Sequence, residues 1–164
     1  MGVSGSGKST LAERLAQALQ VTFLEGDSFH PADNVRRMAQ GIPLTDADRQ
    51  GWLATMARRL ADARARGEGA VLACSALKRS YRDLLRAAVP DLRLVHVHGT
   101  ASLIGERLAQ RKGHYMPPSL LQSQLADLEP PAADEHPLTL DAAQPVEGLL
   151  ASALAQWRTG PPDA

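Results

Sequence analysis

The sequence has little of several features that define common protein classes. Cys74 is the single cysteine among 164 residues, so the chain can form no internal disulfide and a cytoplasmic location is expected. Phe, Trp and Tyr occur only twice each, so alanine and leucine must fill most of the core. No long apolar run and no signal-peptide pattern is present, which favours a protein that is neither membrane-bound nor exported.

The chain also lacks an excess of charge of either sign. Lys and Arg together number 18, as do Asp and Glu, so the formal net charge is zero. Broad binding to nucleic acid or to an anionic membrane relies on a positive field, so we expect neither as a partner. The length suits one domain, expected over residues 1–160, followed by a disordered tail at 161–164.

What the sequence does have is a phosphate-binding motif at its start. Residues 2–9 match G-x-x-x-x-G-K-[ST] at each defined position. Glycines let successive N–H groups turn toward an oxyanion, Lys8 would contact the β- and γ-phosphates, and the Ser9 hydroxyl would bind Mg²⁺. A chance Gly/Ser linker is disfavoured because an apolar helical stripe follows at once. The predicted nucleotide-binding residues here are Gly2, Val3, Ser4, Gly5, Ser6, Gly7, Lys8, Ser9 and Thr10.

No strand precedes this motif, because only Met1 stands before Gly2. A phosphate loop normally leaves the carboxyl end of a buried parallel strand. Without that strand its two neighbours would each expose an unpaired edge. We hypothesise that residues upstream of Met1 are absent from this version of the chain, which the intact mass of the native protein would test.

Beyond the motif, strand-like runs alternate with helical patterns. The β-prone runs are residues 21–24, 70–74, 92–98 and 138–140. Such alternation predicts a three-layer α/β fold of the phosphate-loop type, a parallel sheet with helices on both faces. The absent first strand would bring the sheet to five. Thr45 and Asp48 form the pattern of a capping box before a long helix.

In such folds ligands bind beyond the carboxyl ends of the strands. Asp27 and His30 follow the first visible strand, and Ser75 and Lys78 follow the second. Phosphoryl transfer needs a group that takes the proton of the attacking hydroxyl, and Asp27 is the best-placed candidate. Asp27 could instead cap a helix or coordinate Mg²⁺ through water, and His30 could cap the turn before Pro31.

Cations over the developing charge are expected from the helix at 101–111 and the basic loop after it. Arg107 and Arg111 lie four residues apart on one helix face, so both can point at the phosphates. We therefore predict both as nucleotide-binding residues and Arg111 as a catalytic one.

Four stretches together resemble the gluconokinase family. They are the phosphate loop, Glu25-Gly26-Asp27 with His30-Pro31, C-S-A-L-K-x-x-Y-R-D at 74–83, and R-K-G-H at 111–114. The phosphate loop is generic, whereas the last two stretches are specific. The similarity spans nearly the whole chain, and that family belongs to the shikimate-kinase and nucleoside-monophosphate-kinase-like group.

The resemblance implies ATP- and Mg²⁺-dependent phosphorylation of D-gluconate at O6 by a homodimer. It also implies a substrate-binding helical segment at 31–66 and a mobile lid at 111–118. Arg49 and Arg82 are candidates for the substrate carboxylate by analogy with related kinases, although each could form an ordinary surface ion pair. The substrate-binding residues so expected are Asp27, His30, Arg49, Ser75, Lys78, Arg82 and His114.

Two alternatives stay open at this point. The acceptor could be shikimate or a nucleoside monophosphate, or the chain could be a nucleotide-binding regulator without turnover. A guanine-specific switch is disfavoured, because the Asn-Lys-x-Asp pattern is missing: Asn34 is followed by Val35.

Overall fold

The computed structural model describes residues 1–110 and 117–158, in which strands alternate with helices. The elements are α1 (Lys8–Leu19), β1 (Thr22–Glu25), α2 (Ala32–Ala39), α3 (Asp46–Ala65), β2 (Ala70–Ala73), α4 (Arg79–Ala88), β3 (Val95–His98), α5 (Ala101–Gln110), α6 (Leu121–Asp127), β4 (Leu138–Asp141) and α7 (Val146–Arg158). Short 3₁₀ turns lie at Gly26–Phe29, Pro118–Leu120 and Ala133–Glu135. Each strand overlaps a β-prone run of the sequence.

The described strands pair in parallel, which confirms the predicted α/β architecture. β1 pairs with β2, with Thr22 opposite Ala70, and β3 pairs with β4, with Val95 opposite Leu138. The two pairs are separate two-stranded sheets in the described part of the chain. The expected single sheet of five strands is therefore not confirmed.

The core lies between these strand pairs and the helices. Trp52 and Met56 of α3 pack with Tyr81 of α4 and with partly buried residues of β1 and β2. Leu11 of α1 packs with β3, β4 and Leu149 of α7. Apolar burial of this kind is the main stabilising term in a domain of this size. None of the helices in the described ranges combines the length and apolar composition needed to span a bilayer.

The long helix α3 begins where the sequence predicted. The Thr45 hydroxyl accepts a hydrogen bond from the Asp48 N–H, and the Asp48 carboxylate accepts one from the Thr45 N–H at 2.8 Å. This capping box fixes the first turn of the helix and, with it, the position of Arg49.

Candidate active site

The phosphate loop has the backbone that its glycines predict. Gly5 and Gly7 adopt positive φ values of 82° and 92°, a region that residues with a side chain rarely enter. A Cβ atom at Gly5 would also lie 2.8 Å from Leu108 Cγ. α1 begins at Lys8, and no side chain caps it. The N–H groups of its first turn are therefore placed to bind an anion.

Two side chains in this loop fit a bound triphosphate. The Ser6 hydroxyl is buried and has no hydrogen-bond partner among the described residues. The Lys8 side chain is nearly buried, with only 9% of the residue exposed. A buried hydroxyl and a buried ammonium group each cost free energy unless a partner satisfies them, and phosphate oxygens would do so.

The half-buried Ser9 follows Lys8 and fits the predicted Mg²⁺ ligand. Across residues 1–110 and 117–158, no group of three or more His, Cys, Asp or Glu side chains could hold a metal ion. Mg²⁺ commonly takes one or two protein oxygens together with phosphate and water oxygens, and the Ser9 hydroxyl is the candidate protein ligand here.

Arg107, a predicted nucleotide-binding residue, lies beside the phosphate loop. A Cβ atom at Gly7 would lie 3.8 Å from Arg107 Nη1, and Arg107 Nη2 donates a 2.7 Å hydrogen bond to the carbonyl of Ala142 after β4. The guanidinium group thus spans from the phosphate loop to the end of β4. Arg111 and His114 lie outside the described residues.

One pocket brings together most of the predicted catalytic and substrate-binding residues. Its polar lining comes from the phosphate loop, the ends of β1 and β2, the start of α3, and α6: Ser4, Lys8, Asp27, His30, Arg49, Ser75, Ser123 and Gln124. Its volume is only about 30 Å³, which is room for very little water.

The close packing around Gly26 determines where Asp27 lies. A Cβ atom at Gly26 would stand 2.5 Å from the Ala73 carbonyl oxygen, so only glycine fits there. The indole Nε1 of Trp52 donates a buried 2.7 Å hydrogen bond to the Gly26 carbonyl. The turn that carries Asp27 is thus anchored to β2 on one side and to α3 on the other.

The same tryptophan orients His30. The two rings are stacked, with centroids 4.3 Å apart and planes 11° apart. Burial lowers the pKa of His30 to about 4, with Asp27 opposing and Arg49 adding to the shift, so the imidazole is neutral at pH 7. Its buried Nδ1 has no hydrogen-bond partner within the described ranges. A neutral imidazole can serve a sugar hydroxyl as donor or acceptor.

Arg49 lines the pocket with long, exchangeable contacts. Its guanidinium group lies 3.3 Å from the Leu44 carbonyl and 3.4 Å from Asp127 Oδ2, and 5.8 Å from the centre of the Tyr81 ring. The side chain is only 11% exposed. A buried arginine held by such long hydrogen bonds can rearrange toward a ligand carboxylate, which offers two short ones.

Two predicted substrate residues are not brought into this pocket. Lys78 Nζ instead contacts Asp46 Oδ1 at 2.7 Å. Arg82 is 2% exposed and forms a two-point ion pair with Glu135, at 2.6 and 2.8 Å. Its third guanidinium nitrogen, Nη1, donates hydrogen bonds to the backbone carbonyls of Ala76, Leu77 and Glu129.

We expect Arg82→Met to act on stability. The substitution removes the two-point partner of the buried Glu135 carboxylate, which in the described contacts keeps only the Ala132 N–H and a longer 3.8 Å contact to Arg86, and breaking such a pair costs about 3 to 5 kcal/mol. Urea unfolding should therefore show a lower free energy of unfolding, with part of the loss recovered in Arg82→Met/Glu135→Leu. An unfolding free energy equal to the parent's would show that the pair is not the main role of Arg82.

The structure adds site residues that the sequence analysis missed. Gln124 Oε1 accepts a buried 2.7 Å hydrogen bond from the Ser4 N–H of the phosphate loop, across 120 positions of sequence. Trp52 positions both Gly26 and His30, as described above. Gln124 on α6 and Trp52 on α3 belong to no sequence motif that would mark them as site residues, so only the tertiary structure reveals their roles.

The chain matches known proteins over most of its length. A family model described as an AAA domain matches residues 1–131. The gluconokinase of Gluconobacter oxydans is 52% identical over 82% of this chain and 76% of its own. The thermoresistant gluconokinase of Escherichia coli is 41% identical over 98% of this chain and 92% of its own. The crystal structure of a gluconokinase from Sinorhizobium meliloti is 49% identical, with a TM-score of 0.87 over 97% of this chain and 89% of that one.

Proposed function

Because the chain belongs to the gluconokinase family, we propose that it transfers the γ-phosphoryl group of ATP to O6 of D-gluconate, giving 6-phospho-D-gluconate and ADP. The observation that carries the proposal is the shared pocket. Lys8 of the phosphate loop and Asp27 after β1 line the same small space, so a phosphate donor and a hydroxyl acceptor can meet there.

In this proposal the described side chains have separate tasks. Asp27 accepts the proton of the attacking hydroxyl, and Lys8 neutralises charge on the phosphates. The Ser9 hydroxyl would hold Mg²⁺, which would supply positive charge against the phosphates of ATP. Arg107 adds a second cation beside the loop, supported by its place next to Gly7.

The far end of the pocket would recognise the sugar acid. Arg49 binds the carboxylate, supported by its burial and by its long, replaceable contacts. The neutral His30 and the Ser75 hydroxyl orient the row of substrate hydroxyls, since both line the pocket. Lys78 and Arg82 are the weaker candidates, because ion pairs with Asp46 and Glu135 already engage them.

Further parts of the proposal rest on the sequence and its resemblance. Residues 1–160 form one kinase domain, with a substrate-binding segment at 31–66 and a lid at 111–118 that brings Arg111 and His114 to the site. Residues 161–164 form a tail. The enzyme works with Mg²⁺ in the cytoplasm as a homodimer, and its complete sheet has five parallel strands.

Acceptor choice tests the function. ADP release from ATP and Mg²⁺ is measured with gluconate, with shikimate, with a nucleoside monophosphate and without acceptor. We expect turnover that depends on gluconate and is at least about 100-fold faster than with the other acceptors, since buried polar groups left unpaired by a wrong substrate give discrimination of this order or more. Equal rates with all acceptors, or ADP release that needs none, would contradict the proposal.

A further inference from the structure

A side chain from α6 holds the middle of the phosphate loop. The Ser4 N–H donates a 2.7 Å hydrogen bond to Gln124 Oε1, and both residues are buried, with 5% and 8% of their surfaces exposed. The start of the loop is held by backbone instead, since the Gly2 N–H donates a 3.2 Å hydrogen bond to the Ser75 carbonyl. At Ser4 the position of the loop therefore depends on a side chain, which a substitution can change.

This hydrogen bond lies where the two halves of the proposed active site meet. Ser4 and Gln124 line the same small pocket as Lys8 and Asp27. In the proposed reaction Lys8 contacts the phosphates and Asp27 takes the proton of the acceptor. A shift of the loop at Ser4 changes the distance between donor and acceptor, and a misplacement of about 1 Å can lower a rate by about 10²-fold.

The other end of α6 is bonded to the acceptor half of the site. Asp127 follows Gln124 by three positions, which puts both on one side of the helix, and its Oδ2 lies 3.4 Å from Arg49 Nη2. Just beyond the helix, the Glu129 N–H donates a 2.9 Å hydrogen bond to the Leu77 carbonyl. α6 thus links the phosphate loop to the arginine that we assign to the substrate carboxylate.

Apolar packing keeps α6 against the phosphate loop independently of the glutamine. Leu121 of α6 belongs to a buried cluster with Val3 of the loop and with Ile104 and Leu108 of α5. Burial of these side chains holds the helix in place, so a substitution at Gln124 that preserves its size should leave the fold intact.

We propose that Gln124 is a positioning residue for phosphoryl transfer. Its amide oxygen fixes the loop at Ser4 so that the γ-phosphate meets the acceptor hydroxyl at the correct distance. The inference rests on the proposed function and adds to it a residue that acts through the backbone of the loop. Without this hydrogen bond the loop shifts while both substrates are bound, so the transfer step is slowed and binding is little affected.

Gln124→Met tests the role, because it keeps the length of the side chain and replaces the amide by a thioether, a weak acceptor. Gln122→Met is the matched control, since Gln122 is exposed on the same helix. In Gln124→Met we expect kcat to fall about 10 to 100-fold, with the KM values for ATP and gluconate within about threefold of the parent's. Gln122→Met should keep the parent values.

Amide hydrogen exchange measures the hydrogen bond itself without any substrate. Protection of the Ser4 N–H should fall at least about 10-fold in Gln124→Met and stay at the parent level in Gln122→Met. This measurement does not depend on the proposed activity. Normal protection in Gln124→Met would show that the glutamine does not hold the loop and would overturn the proposal.

Gln124→Glu is a second variant that keeps a strong acceptor at the same length and adds a negative charge. It should keep the protection of the Ser4 N–H but raise the KM for ATP at pH 8 at least about 10-fold, since like charges brought together are strongly unfavourable. A side chain with a merely structural role would not produce opposite kinetic effects in these two variants, a loss of kcat in one and a raised KM in the other.

Gluconate-dependent turnover by the parent is measured first, and its absence would contradict the proposed function and this inference with it. Where the parent turns over, an unchanged kcat in Gln124→Met, an equal loss in Gln122→Met, or an unchanged KM for ATP in Gln124→Glu would overturn this inference alone. If Gln124→Met fails to fold in a urea titration, the KM for ATP of Gln124→Glu decides.

Discussion

Lys8→Met should lower kcat/KM for ATP-dependent turnover by about 10³-fold, since removing one preorganised charge donor at a reacting centre costs this much or more. Methionine keeps nearly the length and the apolar stem of lysine, so the buried position stays filled. What is lost is the cation at the start of α1. Steady-state kinetics with saturating gluconate and varied ATP measure the effect.

A matched control for this variant is Arg14→Met. Arg14 is also on α1 but is 43% exposed, and it pairs with Glu147 at 2.7 Å. An exposed ion pair contributes little to the free energy of folding, so this variant should fold normally and keep the parent kcat/KM. Retention of more than about a tenth of the parent value by Lys8→Met would contradict the role given to the phosphate loop.

Asp27→Asn should lower kcat by about 10² to 10⁴-fold while the KM for gluconate changes far less. Asparagine preserves the shape of the side chain and can still contact a hydroxyl, but it cannot take the proton. A change confined to kcat marks an interaction made in the transition state. The fold should be intact, because the Gly26 and Trp52 contacts that place this turn do not involve the Asp27 side chain.

Asp33→Asn is the control, since Asp33 is exposed on α2 and pairs only with Arg36 in the described contacts. A second measurement is the rate of Asp27→Asn as a function of Mg²⁺ concentration. It distinguishes two roles for the Asp27 carboxylate: a base that takes the proton, and a group that holds Mg²⁺ through water. If raising Mg²⁺ restores the rate of Asp27→Asn, the metal role is correct and the base assignment is wrong. A rate that stays low at all Mg²⁺ concentrations agrees with proton transfer.

Local sequence patterns predicted the features that depend on neighbouring residues. The glycines of the phosphate loop, the capping box at Thr45 and the apolar runs of the strands each act within a few positions, so their structure could be read directly. The place of Asp27 and Ser75 followed from a general rule of parallel sheets, that strand ends gather at one edge.

Side chains whose partners are distant in sequence could not be predicted. Arg82 and Glu135 are 53 positions apart, and nothing near either residue indicates the other. Arg82 matches a substrate-binding pattern by its position after β2, yet the structure buries it against Glu135. Lys78 was likewise predicted to bind substrate, yet it contacts Asp46, which lies 32 positions away in the sequence. A basic residue near a strand end is therefore weak evidence for substrate binding until its partners are known.

The most direct test of the account is the identity of the product. ATP, Mg²⁺ and gluconate labelled with ¹³C at C6 are incubated with the protein, and the product is examined by ³¹P and ¹³C NMR. We expect equal amounts of ADP and a phosphate monoester whose phosphorus couples to C6. Phosphate on another carbon, or ADP formed with inorganic phosphate and unchanged gluconate, would contradict it.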